Sequence, residues 1–464
     1  MMNLIRNSLY LVSVFFIIYL VVYAAYAFFA VLLGAHKLYI NDRKTRFLNN
    51  LTQLNKGDLP VSILVPAHNE AVSIVNSIKS LLSLDYRKFE IILIDDGSSD
   101  DTARLVINEF KMKPSSRNIE MVIECQPLLE IYEKNVNGVD LTLIQKKNGG
   151  KGDALNMGIN ASRFSYFVCM DADSKLQPDS LKEIVQPIYE DDTVVAVGGM
   201  VVISQCVQTK DGVATGFRLP RNLLISMQAI EYVRTFFASR ILMDMFNGNL
   251  IISGAFGLFK KATVFAAGGY SVNNLGEDME LVLKIHGYCR NNDVAYKMRY
   301  QPRAICMTQA PTNLKDLRGQ RRRWHLGLFQ SLFIHKRILF NLKFGLVSAF
   351  SYVYYLFYEL LSPIIEPLGL VTIGLAAYLH VLNVRYMIIF FVLYAIYGGM
   401  LSLVAFSQHI HMQRFKIAPV DMLKALFLCL FEFGVFRYIL VVIRFAAFLR
   451  YGKYKKKWGT ISRV

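Results

Sequence analysis

Short apolar runs alternate with amphipathic stretches between residue 60 and about residue 310. The runs that predict buried strands are 61–65, 91–94, 141–144 and 166–170, and the stretches that predict helices are 71–84, 102–112 and 153–162. Strands and helices in alternation predict an α/β domain with a mainly parallel sheet. We expect Pro66 to stop the first strand. The segment 113–140 interrupts the pattern and is interpreted as an insertion carrying a short helix or a hairpin.

Longer apolar segments flank this domain. Residues 8–35 contain no charged side chain and are long enough to cross a bilayer, so we expect a retained membrane helix and not a cleaved signal. After residue 345, the segment 347–379 predicts one kinked span or two short elements, because Pro363 and Pro367 interrupt it. Residues 386–406 predict a further span.

Residues 420–448 are apolar but contain five charged side chains, which are Asp421, Lys424, Glu432, Arg437 and Arg444. This charge favours an amphipathic helix at the membrane surface over a span. A span there would place the basic tail outside the cell, unless 347–379 forms a hairpin. Basic residues collect on the cytoplasmic side of membrane helices, so the linker, the α/β domain and the tail are expected inside.

These patterns divide the chain into an anchor, an α/β domain and a membrane end. The predicted parts are a transmembrane helix at 1–36, a polar linker at 37–58, the cytoplasmic α/β domain at 59–325 with an interfacial helix at about 212–246, a second interfacial helix at 326–345, transmembrane and interfacial helices at 346–448, and a basic cytoplasmic tail at 449–464.

The composition supports a membrane protein. Hydrophobic residues make up 54% of the 464 residues, and the net charge is +17. An excess of positive charge is attracted to anionic lipid headgroups, so membrane lipid is an expected partner. No motif of a nucleic-acid-binding fold is found, and nucleic acid is not expected as a partner. The six cysteines form no C-x-x-C pair, which predicts reduced thiols without a disulfide or zinc role.

Acidic residues follow two of the predicted strands at the point where each ends. Asp95 and Asp96 end one strand, and Asp171 and Asp173 follow another. Ligands bind at the carboxyl ends of strands in open α/β sheets, and Mg²⁺ prefers one or two carboxylates together with phosphate oxygens. These acids therefore predict a magnesium-bound phosphate ligand. The alternative for Asp95 and Asp96 is a structural turn that leads into a helix cap.

Three further motifs are candidates for chemistry. The sequence 147–156 is a glycine-rich turn entering a helix, and with Lys151 it suits a diphosphate, although it is not a P-loop and a flexible turn is the alternative. Glu277 and Asp278 precede a helix. An acid there is either a general base or a residue that stabilises the helix N-terminus. Gln320, three arginines and Trp324 form a cluster that suits a phosphate and a sugar ring, or else lipid headgroups.

The order of these motifs resembles the membrane-integrated, processive glycosyltransferases of family 2, which include the cellulose, hyaluronan, chitin and poly-N-acetylglucosamine synthases. The motifs are 65–70, Asp95-Asp96, Asp171-x-Asp173, Glu277-Asp278 and Gln320-x-x-Arg323-Trp324. The resemblance covers about residues 58–330 and the hydrophobic flanks. It implies a Rossmann-like catalytic domain of the GT-A type that uses a UDP-sugar donor and Mg²⁺ or Mn²⁺.

The resemblance also implies roles for individual residues. Asp96 is expected to bind uracil, Asp171 and Asp173 the metal, and Asp278 is expected to be the catalytic base beside Glu277. Gly276 stands where the family usually has Thr. The other expected substrate-binding residues are Pro66, His68, Glu70, Lys151, Asp171, Gly254, Gln320, Arg323 and Trp324.

The expected function is a processive, inverting synthesis of a β-linked extracellular polysaccharide from UDP-N-acetylglucosamine or UDP-glucose. One base and no nucleophile favour a single displacement with inversion. The growing polysaccharide is the acceptor, and its synthesis is expected to be coupled to translocation across a bacterial-type inner (plasma) membrane, with a homo-oligomer or a secretion partner completing the pore. The alternatives are a non-processive transferase acting on a lipid, and a non-catalytic nucleotide-sugar receptor or transport component.

Overall fold

The computed structural model describes residues 2–51, 58–210 and 212–454 of the chain. Its strands are β1 (Val61–Ala67), β2 (Phe89–Asp96), β3 (Lys113–Pro114), β4 (Leu128–Val136), β5 (Val139–Lys146), β6 (Tyr166–Met170), β7 (Lys175–Leu176), β8 (Val194–Ile203), β9 (Val207–Lys210), β10 (Val213–Phe217), β11 (Phe256–Lys260), β12 (Lys297–Thr308) and β13 (Lys416–Ile417).

The helices of the first two thirds are α1 (Met2–Leu51), α2 (Ile74–Leu82), α3 (Thr102–Phe110), α4 (Lys151–Ala161), α5 (Ser180–Glu190), α6 (Leu223–Arg234), α7 (Arg240–Asp244), α8 (Lys261–Ala266), α9 (Glu277–Asn291) and α10 (Leu314–Ile334). The remaining helices are α11 (Tyr352–Tyr354), α12 (Ser362–Tyr378), α13 (Val384–Met412), α14 (Pro419–Phe431), α15 (Arg437–Leu449) and α16 (Tyr451–Tyr454). Turns of π-helix connect several of them, at Thr235–Ser239, Val347–Ser351, Tyr355–Leu360 and Glu432–Phe436.

Ten strands form one sheet, in the order β3-β4-β5-β2-β1-β6-β11-β8-β12-β7. The four neighbours β5, β2, β1 and β6 run parallel, as the alternation of strands and helices predicts. Beyond β6 the sheet becomes mixed, because β11 is antiparallel to both β6 and β8. The α/β class is confirmed, and the sheet is mainly parallel, because β8 and β12 pair parallel and run in the same direction as the four central strands.

Helices cover both faces of this sheet. On one face, Ile63 and Ile91 pack with residues of α2, α3 and α5; on the other, Leu64 and Ile92 pack with residues of α4 and α9. Successive residues of each central strand are thus buried on opposite sides, which explains why these strands read as continuous apolar runs.

Pro66 does not end β1, contrary to the sequence prediction. The strand continues to Ala67, paired with β2. On its other side the pairing with β6 ends at Leu64. Because the pairing with β6 has already ended, the missing N–H of Pro66 removes no hydrogen bond between β1 and β6.

The segment 113–140 contains a hairpin, one of its two predicted alternatives. β4 and β5 pair antiparallel from Val136 and Val139 outward. The two residues between them, Asn137 and Gly138, both have positive φ, at 52° and 89°. A two-residue turn of this kind matches the twist of the flanking strands, and Asn-Gly is its preferred sequence.

Within the described part of the chain, three helical segments are long and apolar enough to cross a membrane: Asn7–Ile40, Val384–Met412 and Pro419–Leu449. A fourth candidate is the pair Val347–Leu360 and Ser362–Tyr378, which is bent by 56°. The bend lies near Pro363, where the sequence predicts a kink or two short elements. Together these segments make the chain an integral membrane protein.

The helix α1 does not end with its apolar part. Residues 37–51, interpreted from the sequence as a polar linker, continue the same helix to Leu51. Residues 52–57 of that linker lie outside the described part of the chain, as do residues 455–464 of the basic tail.

The segment Pro419–Leu449 contacts the α/β domain near both of its ends. At one end, Asp421 Oδ1 accepts a hydrogen bond from the Leu219 N–H at 3.2 Å. At the other, the Phe448 ring lies 4.5 Å from that of His325 on α10. Although its length and apolarity would allow a span, these contacts favour the predicted orientation along the membrane surface.

Two predicted boundaries differ from the structure. The expected interfacial helix at 212–246 begins only at Leu223, because residues 213–217 form the strand β10. The expected boundary between 325 and 326 lies inside α10, which is one continuous helix from Leu314 to Ile334.

Candidate functional site

The acids at the strand ends lie along one edge of the sheet, as expected for neighbouring parallel strands. Ala67 of β1 pairs with Asp95 of β2, and Asp96 pairs with Lys146 of β5. β6 ends at Met170, directly before Asp171.

Asp96 is buried and its carboxylate is fully engaged. It accepts hydrogen bonds from Lys146 Nζ at 2.6 Å, from Gly149 N–H at 2.9 Å and from Gly150 N–H at 2.7 Å. Gly150 has φ 89°, a conformation that a residue with a Cβ rarely adopts. In this structure Asp96 therefore holds the glycine-rich turn in place, whereas the sequence analysis expects it to bind uracil.

Lys146 is the centre of this buried network and is not among the site residues predicted from the sequence. It is fully buried, and its Nζ lies 2.6 Å from both the Asp96 and the Asp153 carboxylates. Asp153 in turn accepts a hydrogen bond from the Gln126 N–H. A lysine at the end of an apolar strand is the signal that could have revealed it, because a buried cation needs a carboxylate partner.

His68 lines the entrance to this turn. Its Nδ1 lies 3.0 Å from the Asp96 carbonyl oxygen, which also accepts a hydrogen bond from Asn148 Nδ2 at 2.7 Å. Glu70, also expected at the substrate, is instead buried at the start of α2, where its N–H donates to Thr102 Oγ1.

Lys151 connects three of the predicted motifs. Its Nζ lies 2.5 Å from Asp171 Oδ1, 3.4 Å from the Gly254 carbonyl oxygen and 3.7 Å from Glu277 Oε1. Burial opposes the charge of Lys151, but the carboxylates of Asp171 and Glu277 outweigh it and hold the lysine pKa above its usual value.

Asp278 lies at the first turn of α9. Its Oδ2 accepts a hydrogen bond from the Gly254 N–H at 3.2 Å, and its Oδ1 accepts one from the Met279 N–H at 2.8 Å. A side chain at position 254 would meet Lys151 Nζ at 3.0 Å. A side chain at position 254 would therefore displace the Lys151 ammonium group slightly at the point where the base, the lysine and this loop converge.

The loop of Gly254 reaches the site because β11 is antiparallel to β6. Phe256 of β11 pairs with Met170 of β6. The residues before Phe256 therefore lie beside those after Met170, which include Asp171. This long-range pairing was not predicted from the sequence.

Two carboxyl groups of the site, those of Asp173 and Glu277, have raised pKa values. Burial and the neighbouring charge of Asp171 raise the pKa of Asp173 to about 6. Burial, with the charge of Asp278 adding to it, raises the pKa of Glu277 to about 7. Arg323 of α10 lies close enough to lower both of these pKa values somewhat. Perturbed carboxylates in one cleft are typical of functional sites.

The three consecutive arginines of α10 have different surroundings. Arg321 is buried and forms two hydrogen bonds to the Glu231 carboxylate of α6, at 2.7 and 2.5 Å. Its guanidinium also lies 4.6 Å from the Trp324 ring, which is 41% exposed. Arg321 thus supports Trp324, whereas Arg323 faces the carboxylates.

Gln320 is buried, and its Oε1 has no hydrogen-bond partner among the described residues. An unsatisfied buried amide is costly unless a ligand or water completes it. This fits the expected contact of Gln320 with a substrate.

No group of three or more His, Cys, Asp and Glu side chains suited to a metal occurs in the described parts of the chain. The pair Asp171 and Asp173 still fits a divalent cation that takes its remaining ligands from phosphate and water. Burial and the neighbouring Asp171 raise the pKa of Asp173, and a cation bound between the two carboxylates would favour its ionised form.

Two family models match this chain in succession. Residues 62–122 match the family described as glycosyl transferase family 2, and residues 124–327 match glycosyltransferase like family 2. The chain belongs to glycosyltransferase family 2. The two segments contain every predicted site residue, and they end within α10.

Curated relatives of the chain are polysaccharide synthases. It is 26% identical over 302 residues to the poly-beta-1,6-N-acetyl-D-glucosamine synthase of Staphylococcus epidermidis, covering 63% of this chain and 62% of that protein. It is 29% identical over 323 residues to the enzyme of the same name from Staphylococcus aureus strain COL, covering 69% and 65%. The matched part is thus less than two thirds of the length of these relatives. The predicted resemblance to the polysaccharide synthases is confirmed.

Among solved structures, the chain is similar to a mannosyltransferase from Pyrobaculum calidifontis in complex with GDP-Man and Mn²⁺. The TM-score is 0.49 at 19% identity, covering 84% of this chain and 97% of that one.

Proposed function

We propose that the protein is a processive, inverting glycosyltransferase that polymerises N-acetylglucosamine from UDP-N-acetylglucosamine into a β-linked polysaccharide. The observation that carries this proposal is the convergence of Asp278, Lys151, Asp171 and Gly254 in a chain of family 2. N-acetylglucosamine is favoured over glucose because the curated relatives are named as synthases of its polymer.

Asp278 is proposed as the catalytic base. The N–H groups of Gly254 and Met279 fix its carboxylate at the N-terminus of α9. There it would take the proton of the acceptor hydroxyl as the sugar bond forms. Asp278 is the single base in this proposal, and no residue is assigned as a nucleophile, so one displacement would invert an α-linked donor to a β-linked product.

The leaving group of the reaction is UDP, on which negative charge develops. Asp171 and Asp173 are proposed to hold Mg²⁺ or Mn²⁺, which would supply positive charge to the diphosphate. Lys151 and Arg323 lie beside these acids and would stabilise the same charge. The glycine-rich turn that Asp96 orders would face the nucleotide, together with Pro66 and His68.

Trp324 is proposed as a platform for the acceptor sugar. Its exposed ring lies 6.2 Å from that of Tyr232 on α6. Aromatic rings and sugar faces pack well because both present apolar surface. A polymer leaving this platform would meet the membrane helices directly, which favours processive addition.

We further propose that the catalytic domain is cytoplasmic and that synthesis is coupled to export across the plasma membrane. Three ion pairs lie among the apolar helices: Arg437 with Glu366, Arg444 with Glu359, and Arg234 with Glu432. Glu359 and Glu366 lie in the bent pair of candidate spans, and charged groups within a bilayer are costly and mostly retained for function. A second copy of the chain or a secretion partner would complete the export path.

The test is the incubation of purified protein with UDP-N-acetylglucosamine and Mg²⁺, with separate measurement of released UDP and of product length. Wild-type protein is expected to release UDP and form long chains. Asp278→Asn, which keeps the shape but not the basicity, should lower turnover by about 10²- to 10⁴-fold. Glu133→Gln, on the distant β4–β5 hairpin, is the control and should retain turnover.

Other outcomes distinguish the rival functions. A single sugar transferred to lipid would indicate a non-processive transferase. UDP-sugar binding without UDP release would indicate a receptor or transport component. Full turnover by Asp278→Asn would show that the base is wrongly assigned.

A further inference from the structure

Two glycines bring the backbones of two site elements into direct contact. Gly276 precedes α9, and Gly327 lies in the middle of α10. A Cβ built on Gly327 would lie 2.5 Å from the Gly276 nitrogen, and one built on Gly276 would lie 2.9 Å from the Gly327 carbonyl carbon. Real Cβ contacts are longer than this, so neither position accepts a side chain without movement of the backbone.

Polar side chains fasten the same contact. Gln330 Oε1 accepts a hydrogen bond from the Leu275 N–H at 2.9 Å. Asn274 Nδ2 donates to Ser331 Oγ at 3.2 Å, and the Ser331 hydroxyl donates to the Gly276 carbonyl oxygen at 3.3 Å. Asn274 and Ser331 are both buried, so these bonds are shielded from water.

The contact lies between the two halves of the proposed site. Asp278 follows Gly276 by two residues, within the first turn of α9. Gln320, Arg323 and Trp324 precede Gly327 on α10 by seven, four and three residues, which is one to two helical turns. Any change in the separation of the two glycines therefore changes the distance from the base to these side chains.

We propose that the contact formed by Gly276, Gly327, Asn274, Gln330 and Ser331, here called the glycine clamp, is a positioning device that sets the distance between the base and the acceptor-side helix. It explains the departure from the family pattern at position 276, where Thr is usual. In this chain a Thr would collide with α10. The clamp rests on the proposed function, because Asp278 acts as a base there.

The first test compares Gly327→Ala with two matched controls. Gly319→Ala lies on the same helix and Gly287→Ala lies on α9, and a Cβ at either position meets no atom within 4 Å. Gly327→Ala must displace the backbone by about 1 Å to reach ordinary contact distance. A misplacement of that size costs about 10²-fold in rate, so kcat for UDP release should fall by about 10- to 100-fold.

Binding of UDP with Mg²⁺, measured by calorimetry, separates positioning from general damage. The clamp predicts that Gly327→Ala keeps the wild-type Kd for UDP within about threefold while kcat falls. Gly276→Thr, which restores the usual family residue, should behave in the same way. A loss of UDP binding in parallel with kcat would overturn the proposal in favour of a merely structural role.

Variants without a steric clash keep the test valid if Gly327→Ala does not fold. Gln330→Ala removes the acceptor for the Leu275 N–H and should lower kcat several-fold, whereas Gln330→Glu keeps an oxygen there and should restore most of it. Equal activity of Gln330→Ala and wild type would overturn the clamp.

The two proposals fail differently. If the wild-type protein turns over no UDP-sugar, the proposed function fails. If wild type is active and Gly327→Ala matches Gly319→Ala, the clamp alone fails.

Discussion

At the scale of single residues, the site depends on how buried charges are compensated. Lys146 has no contact with solvent and is neutralised by Asp96 and Asp153. Lys151 is neutralised by Asp171, next to the proposed metal position. The first lysine therefore belongs to the framework of the glycine-rich turn, while the second faces the proposed diphosphate.

Replacing Lys146 by Met should destabilise the protein strongly. The substitution leaves two buried carboxylates without their cation, and breaking a buried pair in this way costs about 3–5 kcal/mol. The thermal midpoint in detergent should fall, and UDP affinity should fall with it because the glycine-rich turn loses its support.

The neighbouring Lys147→Met is the control, since that side chain is exposed. Equal midpoints for the two variants would contradict the framework role of Lys146.

At the scale of elements, the site is formed by helices that are distant in sequence but in contact in the fold. α6 lies against α10 through the Glu231–Arg321 pair, and α9 lies against α10 through the glycine clamp. The sequence motif at 320–324 gives the three arginines as a group and does not distinguish between them. Which of its arginines faces the substrate depends on the positions of α6 and α9.

Replacing Arg321 by Lys should disturb Trp324 without altering the donor site. Lysine keeps the charge but loses the paired hydrogen bonds to Glu231 and the planar group beside the indole ring. We expect the free energy of unfolding to fall by about 1–3 kcal/mol, seen as a lower thermal midpoint. The polymer chains should be shorter, and the affinity for UDP should not change.

Arg318→Lys, at an exposed position of the same helix, serves as the comparison. If Arg318→Lys shortens the polymer product as much as Arg321→Lys does, the proposed support of Trp324 by Arg321 is wrong.

At the scale of the whole molecule, partly buried ion pairs connect the apolar helices. Arg437 Nη2 lies 2.5 Å from Glu366 Oε1, joining α15 to α12. Arg444 and Glu359 form a looser pair at 3.5 Å between α15 and the π-helical segment before α12. Because α15 also packs on α10, these pairs place the catalytic helix and the bent pair of membrane helices in one connected structure.

Glu366→Gln should destabilise the protein more than Glu359→Gln. The first substitution leaves the partly buried Arg437 charge without the Glu366 carboxylate, which is 11% exposed, whereas Glu359 is 34% exposed and its pair is longer. The measurement is the thermal midpoint in lipid nanodiscs.

The double variant Glu366→Gln/Arg437→Met should recover part of the loss, because it removes both charges. No recovery in that variant would argue against a direct pairing of the two residues.

The sequence by itself determined the α/β class, the central strands, the apolar segments and the set of motifs. These follow from local patterns, because apolar runs must be buried and a buried strand ends where acidic side chains begin. The sequence also allowed the hairpin at 113–140 to be predicted, because Asn137-Gly138 favours a two-residue turn, but it did not exclude a short helix.

The tertiary structure alone decided how the motifs combine. The antiparallel β11 brings Gly254 to Asp171, Lys146 engages Asp96, and two glycines allow α9 and α10 to touch. Each of these contacts joins residues that are distant in the chain, and its strength depends on burial and close packing. Neither quantity exists until the whole chain has folded, so no local pattern could have specified them.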